Sequence, residues 1–194
     1  MFKTLSISIA AALVSFAAGM SAQTPEPADT FKVDYFSGAH NTEWVAPEGT
    51  VRITNVGTDI GKGNPSGDMA AGIFVFDPNQ ELTECCYCEI TPDGLLTLSI
   101  NNDLTNNPLT GNLLSSGVIK ILGFSLSGTL APGIRAWATH IQTTGVTTET
   151  AFSDATLSAG ELNRLGQQCN FIVNEGSGAG ICQCGAEGQA APFK

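Results

Sequence analysis

Hydrophobic and polar positions alternate with a period of two along several short stretches of the chain, the pattern of strands with one buried face. Phe31, Val33 and Tyr35 alternate with Lys32 and Asp34, and Val51 and Ile53 alternate with Arg52 and Thr54 within Thr50–Val56. Ala70–Phe76 is a continuous apolar run, which predicts a central strand covered on both sides. Asp77-Pro78-Asn79-Gln80 follows with Asp first and Pro second, the order that favours a type I turn, and Glu81–Glu89 reads as the returning strand. A second turn of this kind, Thr91-Pro92-Asp93-Gly94, leads into Leu95–Ile100. Val118–Phe124 and Ile134–Ile141 are strands separated by a turn at Pro132-Gly133, and threonine-rich Thr143–Thr150 is one more. Gly57–Asp68 and Asn101–Asn112 read as loops. Short strands divided by frequent turn signals predict a mainly β chain: an antiparallel β-sandwich, immunoglobulin-like or jelly-roll-like.

One segment departs from this period. Ser158-Ala159-Gly160-Glu161 has the spacing of a capping box, and Leu157 and Leu162 that of a hydrophobic staple. Leu162, Leu165, Cys169 and Ile172 then step along one helical face, so a helix is expected near 159–175, with Gly176 or Gly178 as its stop. Its role is packing.

The first 22 residues form a different unit. Lys3 precedes an apolar stretch from Leu5 to Ala18, and Met20-Ser21-Ala22 ends in a small residue before Gln23, as in a secretory signal peptide. The stretch is shorter than the roughly 20 residues a membrane span requires. The expected organisation is a signal peptide over 1–22, a Pro-rich flexible leader over 23–30, one β-rich domain over 31–184 and a flexible tail over 185–194. No membrane span is expected after processing, and the mature protein is expected at the cell surface, in the periplasm or in the medium.

Composition narrows the partners. The 194 residues carry 8 Lys+Arg against 18 Asp+Glu, a charge of −10 that becomes −11 once Lys3 leaves with the signal. So few scattered cations exclude a basic nucleic-acid surface. Charged residues make up only 13% of the chain, while 42% is apolar, which suits a packed core rather than a disordered polyanion.

Six cysteines fall in two clusters, Cys85, Cys86, Cys88 and Cys169, Cys182, Cys184. An even count in an exported chain reads as a disulfide framework, with 15 possible connectivities for six cysteines. Bridges within a C-C or C-x-C unit are tight, which favours the six patterns that join only the two clusters. Cys169 faces the core from the helix, and Cys85 and Cys86 point to opposite faces of their strand. One of the first cluster therefore meets the helix, and the helix and tail are stapled to a middle strand. Metal or thiol-redox chemistry is the rival reading; the spacings are not those of a zinc site, although soft Cu(I) tolerates C-x-C pairs.

Other chemistry is sparse. The two histidines, His40 and His140, are expected at the surface, and no catalytic signature such as H-E-x-x-H or G-x-S-x-G occurs. Asp77, Asn79 and Glu81 around one turn, and Asp59, Asn64 and Asp68 in one loop, are weak candidates for a calcium site, set against ordinary turn chemistry. Trp44 in a loop is a weak candidate for stacking on a sugar, whereas Trp137 is expected in the core. No catalytic residue and no cofactor beyond possible calcium is assigned.

The segments Gly72–Asp77, Glu84-Cys85-Cys86-Tyr87-Cys88, Thr91–Leu95, Thr148–Thr150, Ala155–Leu162 and Gly178–Cys182 resemble an uncharacterised group of exported, cysteine-containing proteins of acidobacterial type. The resemblance spans roughly residues 50 to 185 and implies export and a cysteine staple; it carries over no functional residue. The function expected is a secreted or cell-surface structural or adhesive β-module. It could self-assemble, its leader and Phe31–Tyr35 strand adding to a neighbour's sheet edge. Two alternatives stand beside it: a secreted hydrolase acting on extracellular polymer, and a metal-binding or thiol-redox extracellular protein. Partners would be a second copy or an extracellular polymer.

Overall fold

The computed structural model describes residues 29–40, 48–58, 60–61, 63–141, 146–175 and 178–185. The signal segment, residues 23–28 of the leader, Trp44, Asp59, Gly176 and nearly all of the tail lie outside them. Nine strands are described: β1 (Phe31–Ser37), β2 (Thr50–Asn55), β3 (Met69–Phe76), β4 (Leu82–Ile90), β5 (Leu95–Ser99), β6 (Ser116–Ser125), β7 (Ile134–Ile141), β8 (Thr147–Ala151) and β9 (Ser153–Asp154). A single π-helical turn, Ile100–Leu104, lies between β5 and β6 at the start of the stretch expected to be a loop, and one α-helix, α1 (Ala159–Glu175), follows the strands. The strands pair antiparallel in two sheets, β4-β3-β6-β1-β9 and β5-β2-β7-β8. Only β3–β4 and β7–β8 are hairpins within a sheet; the other connections cross between layers. The fold is the expected antiparallel sandwich with one C-terminal helix. Among the described residues no helix is long and apolar enough to cross a membrane.

Two hydrophobic layers account for the burial pattern. Between the sheets lie Phe36, Ile53, Ile73, Leu98, Ile119 and Ile121, all inaccessible to solvent. On the other side of the larger sheet, Phe74, Leu122 and Phe124 pack against Leu165, Cys169 and Ile172 of α1. β3 therefore has one face on each core, and all eight of its residues are buried, as its unbroken apolar run predicts.

The helix begins where the capping pattern places it, with the Glu161 N–H donating to Ser158 Oγ at 3.1 Å. The reciprocal half of the capping box is replaced. Both Glu161 carboxylate oxygens accept instead from Arg164, and one also from Lys120.

Three expectations are corrected. In β1 the expected apolar set divides: Phe31 and Val33 pack in the helix-side layer, but Tyr35 is 53% exposed, and the face between the sheets carries Lys32, Asp34 and Phe36. The inward polar groups are paired: Lys32 Nζ meets Asp29 at 2.9 Å and Asp154 at 2.5 Å. Trp137 sits half-buried on the outer face of the smaller sheet, opposite Arg52, because its neighbours Ala136 and Ala138 take the inward positions. His140 is buried rather than exposed, since β7 carries it under β1 and β8.

Candidate functional site

The cysteines form three bridges, all between the clusters: Cys85–Cys169, Cys86–Cys182 and Cys88–Cys184. Strand alternation explains the choice. Cys85 turns toward α1 and takes Cys169, while Cys86 and Cys88 turn inward and take the two cysteines of the C-x-C pair. The segment carrying that pair runs beside β4, with Cys85 N–H donating to Gly180 C=O and Cys182 N–H to Cys85 C=O. The outer edge of β4 is thereby covered, and the Leu109 N–H covers a further position at Thr83 C=O. Sγ of Cys86 and Cys88 lie 3.8 Å apart, and with Cys184 they form the one group of three metal-ligand atoms close together among the described residues. Each of these sulfurs is spent in a disulfide, so the group offers no thiolate to a metal.

A second cluster joins β1, β7 and β8. His140 Nε2 lies 2.5 Å from Thr150 Oγ1, whose hydroxyl is 3.2 Å from Asp34 Oδ2, and the ring of Tyr35 lies against the imidazole. A histidine beside a hydroxyl is the feature that a hydrolase would require, but the geometry differs from a Ser-His-Asp relay. There the acid holds one ring nitrogen and the nucleophile meets the other. Here Asp34 and Thr150 both converge on Nε2, at 3.6 and 2.5 Å, and Nδ1 is buried with no partner among the described residues. An orphaned N–H costs more than an unfilled lone pair, which places the proton on Nε2. The chain then runs His140 Nε2–H to Thr150, and Thr150 O–H to Asp34. The imidazole donates to the hydroxyl and does not act on it as a base; the cluster ties three strands together.

A third region flanks α1. A cavity of about 480 Å³ opens between the helix, the β3–β4 turn and residues 109–110, lined by Gln80, Glu81, Leu109, Gln167, Gln168 and Phe171 among others. Next to it a cavity of about 390 Å³ is lined by Phe76, Asp77, Gln80, Val118, Lys120 and Arg164. Gln80 belongs to both. Lys120 and Arg164 lie over the ring of Phe76 and share Glu161, whose carboxyl the Arg164 guanidinium, with help from Lys120, holds down at about 2.

The calcium candidates divide. Asp77 spends its carboxylate inside its own turn, Oδ1 accepting from the Glu81 N–H at 2.8 Å and Oδ2 from Asn79 at 3.3 Å. Asn64 is similarly occupied, accepting from Gly67 N–H and Ser66 and donating to the backbone of Asp68. The side chains thus serve turn geometry. Asp59 and the stacking candidate Trp44 fall outside the described residues.

Sequence reasoning missed Glu84. It occupies the β4 position between Thr83 and Cys85, fully buried, and its Oε1 accepts from the Asn107 N–H at 3.0 Å while Oε2 has no partner among the described residues. Burial pushes its carboxyl up to about 8. An alternation pattern along β4 flags Glu84 as inward, but the covering loop around Asn107 has no sequence signature. Comparison of the chain with family models, with curated proteins and with solved structures found no match in any of the three.

Proposed function

We propose that the chain is a secreted or cell-surface structural and adhesive module, whose sandwich holds a recognition surface rigid outside the cell. The observation that supports this reading is the placement of the staple. All three bridges leave one strand, β4, and close separations of 84 and 96 residues onto α1 and the segment behind it. Taken singly, a closure of this size contributes about 4–5 kcal/mol on the chain-entropy model. Leu82 of β4 and Gln167, Gln168, Phe171 and Ile172 of α1 line the cavity beside the helix, and the Cys85–Cys169 bridge joins those two elements. Disulfides persist in oxidising compartments and are rare where glutathione keeps thiols reduced.

Fractionation of cells expressing the full chain tests the reading. The expected result is protein in the surface or extracellular fraction, six hydrogens lighter than its all-thiol mass. Recovery in the cytoplasm with free thiols would refute it.

Self-association has one specific feature in its favour. All five residues of β8 are exposed, and among the described residues the strand pairs only with β7, so no described strand occupies its outer edge. β1 pairs along its whole length with β6 on one edge but with β9 only at Lys32 and Val33 on the other, so its outer edge from Asp34 to Ser37 also carries no strand among the described residues. The donor is the leader with the Phe31–Tyr35 strand, or a second β8. Light scattering of the mature chain, with and without residues 23–28, tests this. A monomer at high concentration in both forms refutes it.

A further inference from the structure

We propose that the two-lobed cleft beside α1 binds a neutral polysaccharide strand, with Phe171 as the stacking platform and Gln80, Gln167 and Gln168 as the hydroxyl-reading groups. The inference rests on the adhesive-module reading and names the partner.

Charge is the first argument. In a chain of net charge −10, the larger lobe contains one ionisable side chain, Glu81. In the smaller lobe the cations Lys120 and Arg164 are already committed to Glu161, and Asp77 adds a further carboxylate. Among the described residues neither lobe holds a cation without a carboxylate partner, so an anionic ligand would have to compete with Glu161 for Lys120 and Arg164. A cationic one finds Glu161 already shared, Asp77 buried and spent inside its own turn, and Glu81 exposed to water.

The polar groups supply the second argument. An amide donates and accepts in one plane, and so do adjacent hydroxyls on a sugar ring. The side chains of Gln80 and Gln167 have no hydrogen-bond partner among the described residues, and Gln168 uses only its oxygen, which accepts from Arg164 at 3.1 Å. An apolar peptide would cover these amides without pairing them, which costs free energy. Phe171 is 54% exposed and Leu109 39% exposed, giving the lobe a flat apolar surface of the kind on which the C–H face of a sugar rests. Arg164, Gln167, Gln168 and Phe171 succeed one another along the helix, so the lining runs for about 10 Å at 1.5 Å per residue. That is an elongated site rather than a closed pocket, and it suits a polymer.

Gln80 provides the third argument, independent of the first two. Four non-glycine residues have positive φ: Asp29, His40, Gln80 and Asp93. Asp and His are enriched in that region of backbone space and Gln is not. At φ +71° glycine would be the low-energy choice, yet the chain keeps a long amide there, and that amide is the one shared by both lobes. Residues held in a costly conformation tend to mark sites of binding.

The test uses the mature, disulfide-intact chain in affinity electrophoresis and titration calorimetry against soluble xylan, dextran, mixed-linkage β-glucan and galactomannan, with alginate as the anionic comparison. At least one neutral polymer should bind. Phe171→Ala should weaken that binding about tenfold, the effect of losing one aromatic contact, and Gln167→Leu should weaken it with the fold unchanged. Gln80→Gly should also weaken binding while leaving the unfolding midpoint the same or higher. Failure of all four neutral polymers to bind, or binding by Phe171→Ala and Gln80→Gly as tight as by the parent chain, would overturn the proposal. Binding of alginate alone also overturns it but leaves an adhesive module standing. Cytoplasmic recovery overturns that broader reading whatever the cleft binds.

Discussion

Replacing Glu84 by Gln should remove a fall in stability between about pH 4.5 and pH 8. The carboxyl is fully buried, has one partner among the described residues, the Asn107 N–H, and carries a pKa raised by desolvation from 4.5 to about 8. Between those two values the unfolded chain has released its proton while the folded chain retains it. The unfolded state therefore binds fewer protons, and stability falls as pH rises, by about 1.4 kcal/mol per unit. From pH 5 to pH 7.5 this amounts to roughly 3 kcal/mol. Glutamine has the shape of the protonated acid and keeps an oxygen for Asn107, but it does not titrate. Its amide adds one unsatisfied buried donor, at a cost of about 1 kcal/mol. Glu84→Gln should accordingly be slightly less stable than the parent at pH 4.5 and about 2 kcal/mol more stable at pH 7.5, with a crossing between.

Urea unfolding of both proteins with disulfides intact, at pH 4.5, 6 and 7.5, measures this directly. Equal m-values are required for the comparison, since the cross-linked unfolded chain must expose the same surface in both. The informative quantity is the difference between the two proteins, in which every other titrating group cancels. A difference that stays flat across the three pH values would show that the carboxyl is solvated in the folded state. A variant less stable at pH 7.5 would show that it is charged there and bound to something. Either result sinks the argument from burial.

Three other outcomes follow from the packing. Glu161 has the opposite sign: its carboxyl is held near 2, so its contribution is present above about pH 4.5 and is lost as pH falls toward 2. Discounted for solvent exposure, that contribution is about 1–2 kcal/mol, and Glu161→Gln should flatten the acid limb of a stability–pH curve. The two inward bridges are interlaced and lie side by side, so once Cys86–Cys182 is closed, Cys88–Cys184 closes only a small extra ring. Replacing either pair by alanine should cost about 2 kcal/mol, and replacing both about 5 kcal/mol, as read from denaturant midpoints. Gly117→Ala would place a methyl 2.2 Å from the Phe76 carbonyl oxygen and 2.7 Å from the Phe36 ring, so it should destabilise by about 3 kcal/mol or prevent folding; a midpoint within experimental error of the parent would show that β6 can shift.

What the sequence made legible were features set by neighbours along the chain. Ala70–Phe76 announces a strand covered on both sides, and Ser158 with Leu165, Cys169 and Ile172 announces a capped helix with one buried stripe. Opposite facing of Cys85 and Cys86 leads directly to bridges on opposite sides of β4. What stayed hidden depends on contacts between distant segments. Phe31, Val33 and Tyr35 look like one buried face, yet only Phe31 and Val33 pack, against the helix side, while the opposite face with Lys32, Asp34 and Phe36 turns between the sheets because Asp29, Asp154, Thr150 and His140 arrive to pair its polar groups. The cleft was equally illegible. Gln80, Gln167 and Phe171 come from a turn and a helix about 90 residues apart, and nothing in their local spacing relates them.

The polar inward face of β1 also explains how the last part of the chain passes from one sheet to the other. After β7, the strand β8 leads through Phe152 into β9, which pairs with β1 in the opposite sheet. Along this crossover Thr150, Phe152 and Asp154 are spaced by two and make the inward contacts: to Asp34 and His140, to the inter-sheet core, and to Lys32. Lys32 and Asp34 have the same spacing on β1. A one-residue slip of the crossover would carry all three contacts away from their partners at once, leaving Lys32 buried without its Asp154 carboxylate and Asp34 without the Thr150 hydroxyl. Two polar pairs around one phenylalanine therefore specify where β9 docks, and β9 in turn sets where the chain emerges toward Leu157 and the start of α1. The stapled helix and the cleft beside it are positioned from that end by the polar register and from the other by the disulfides on β4.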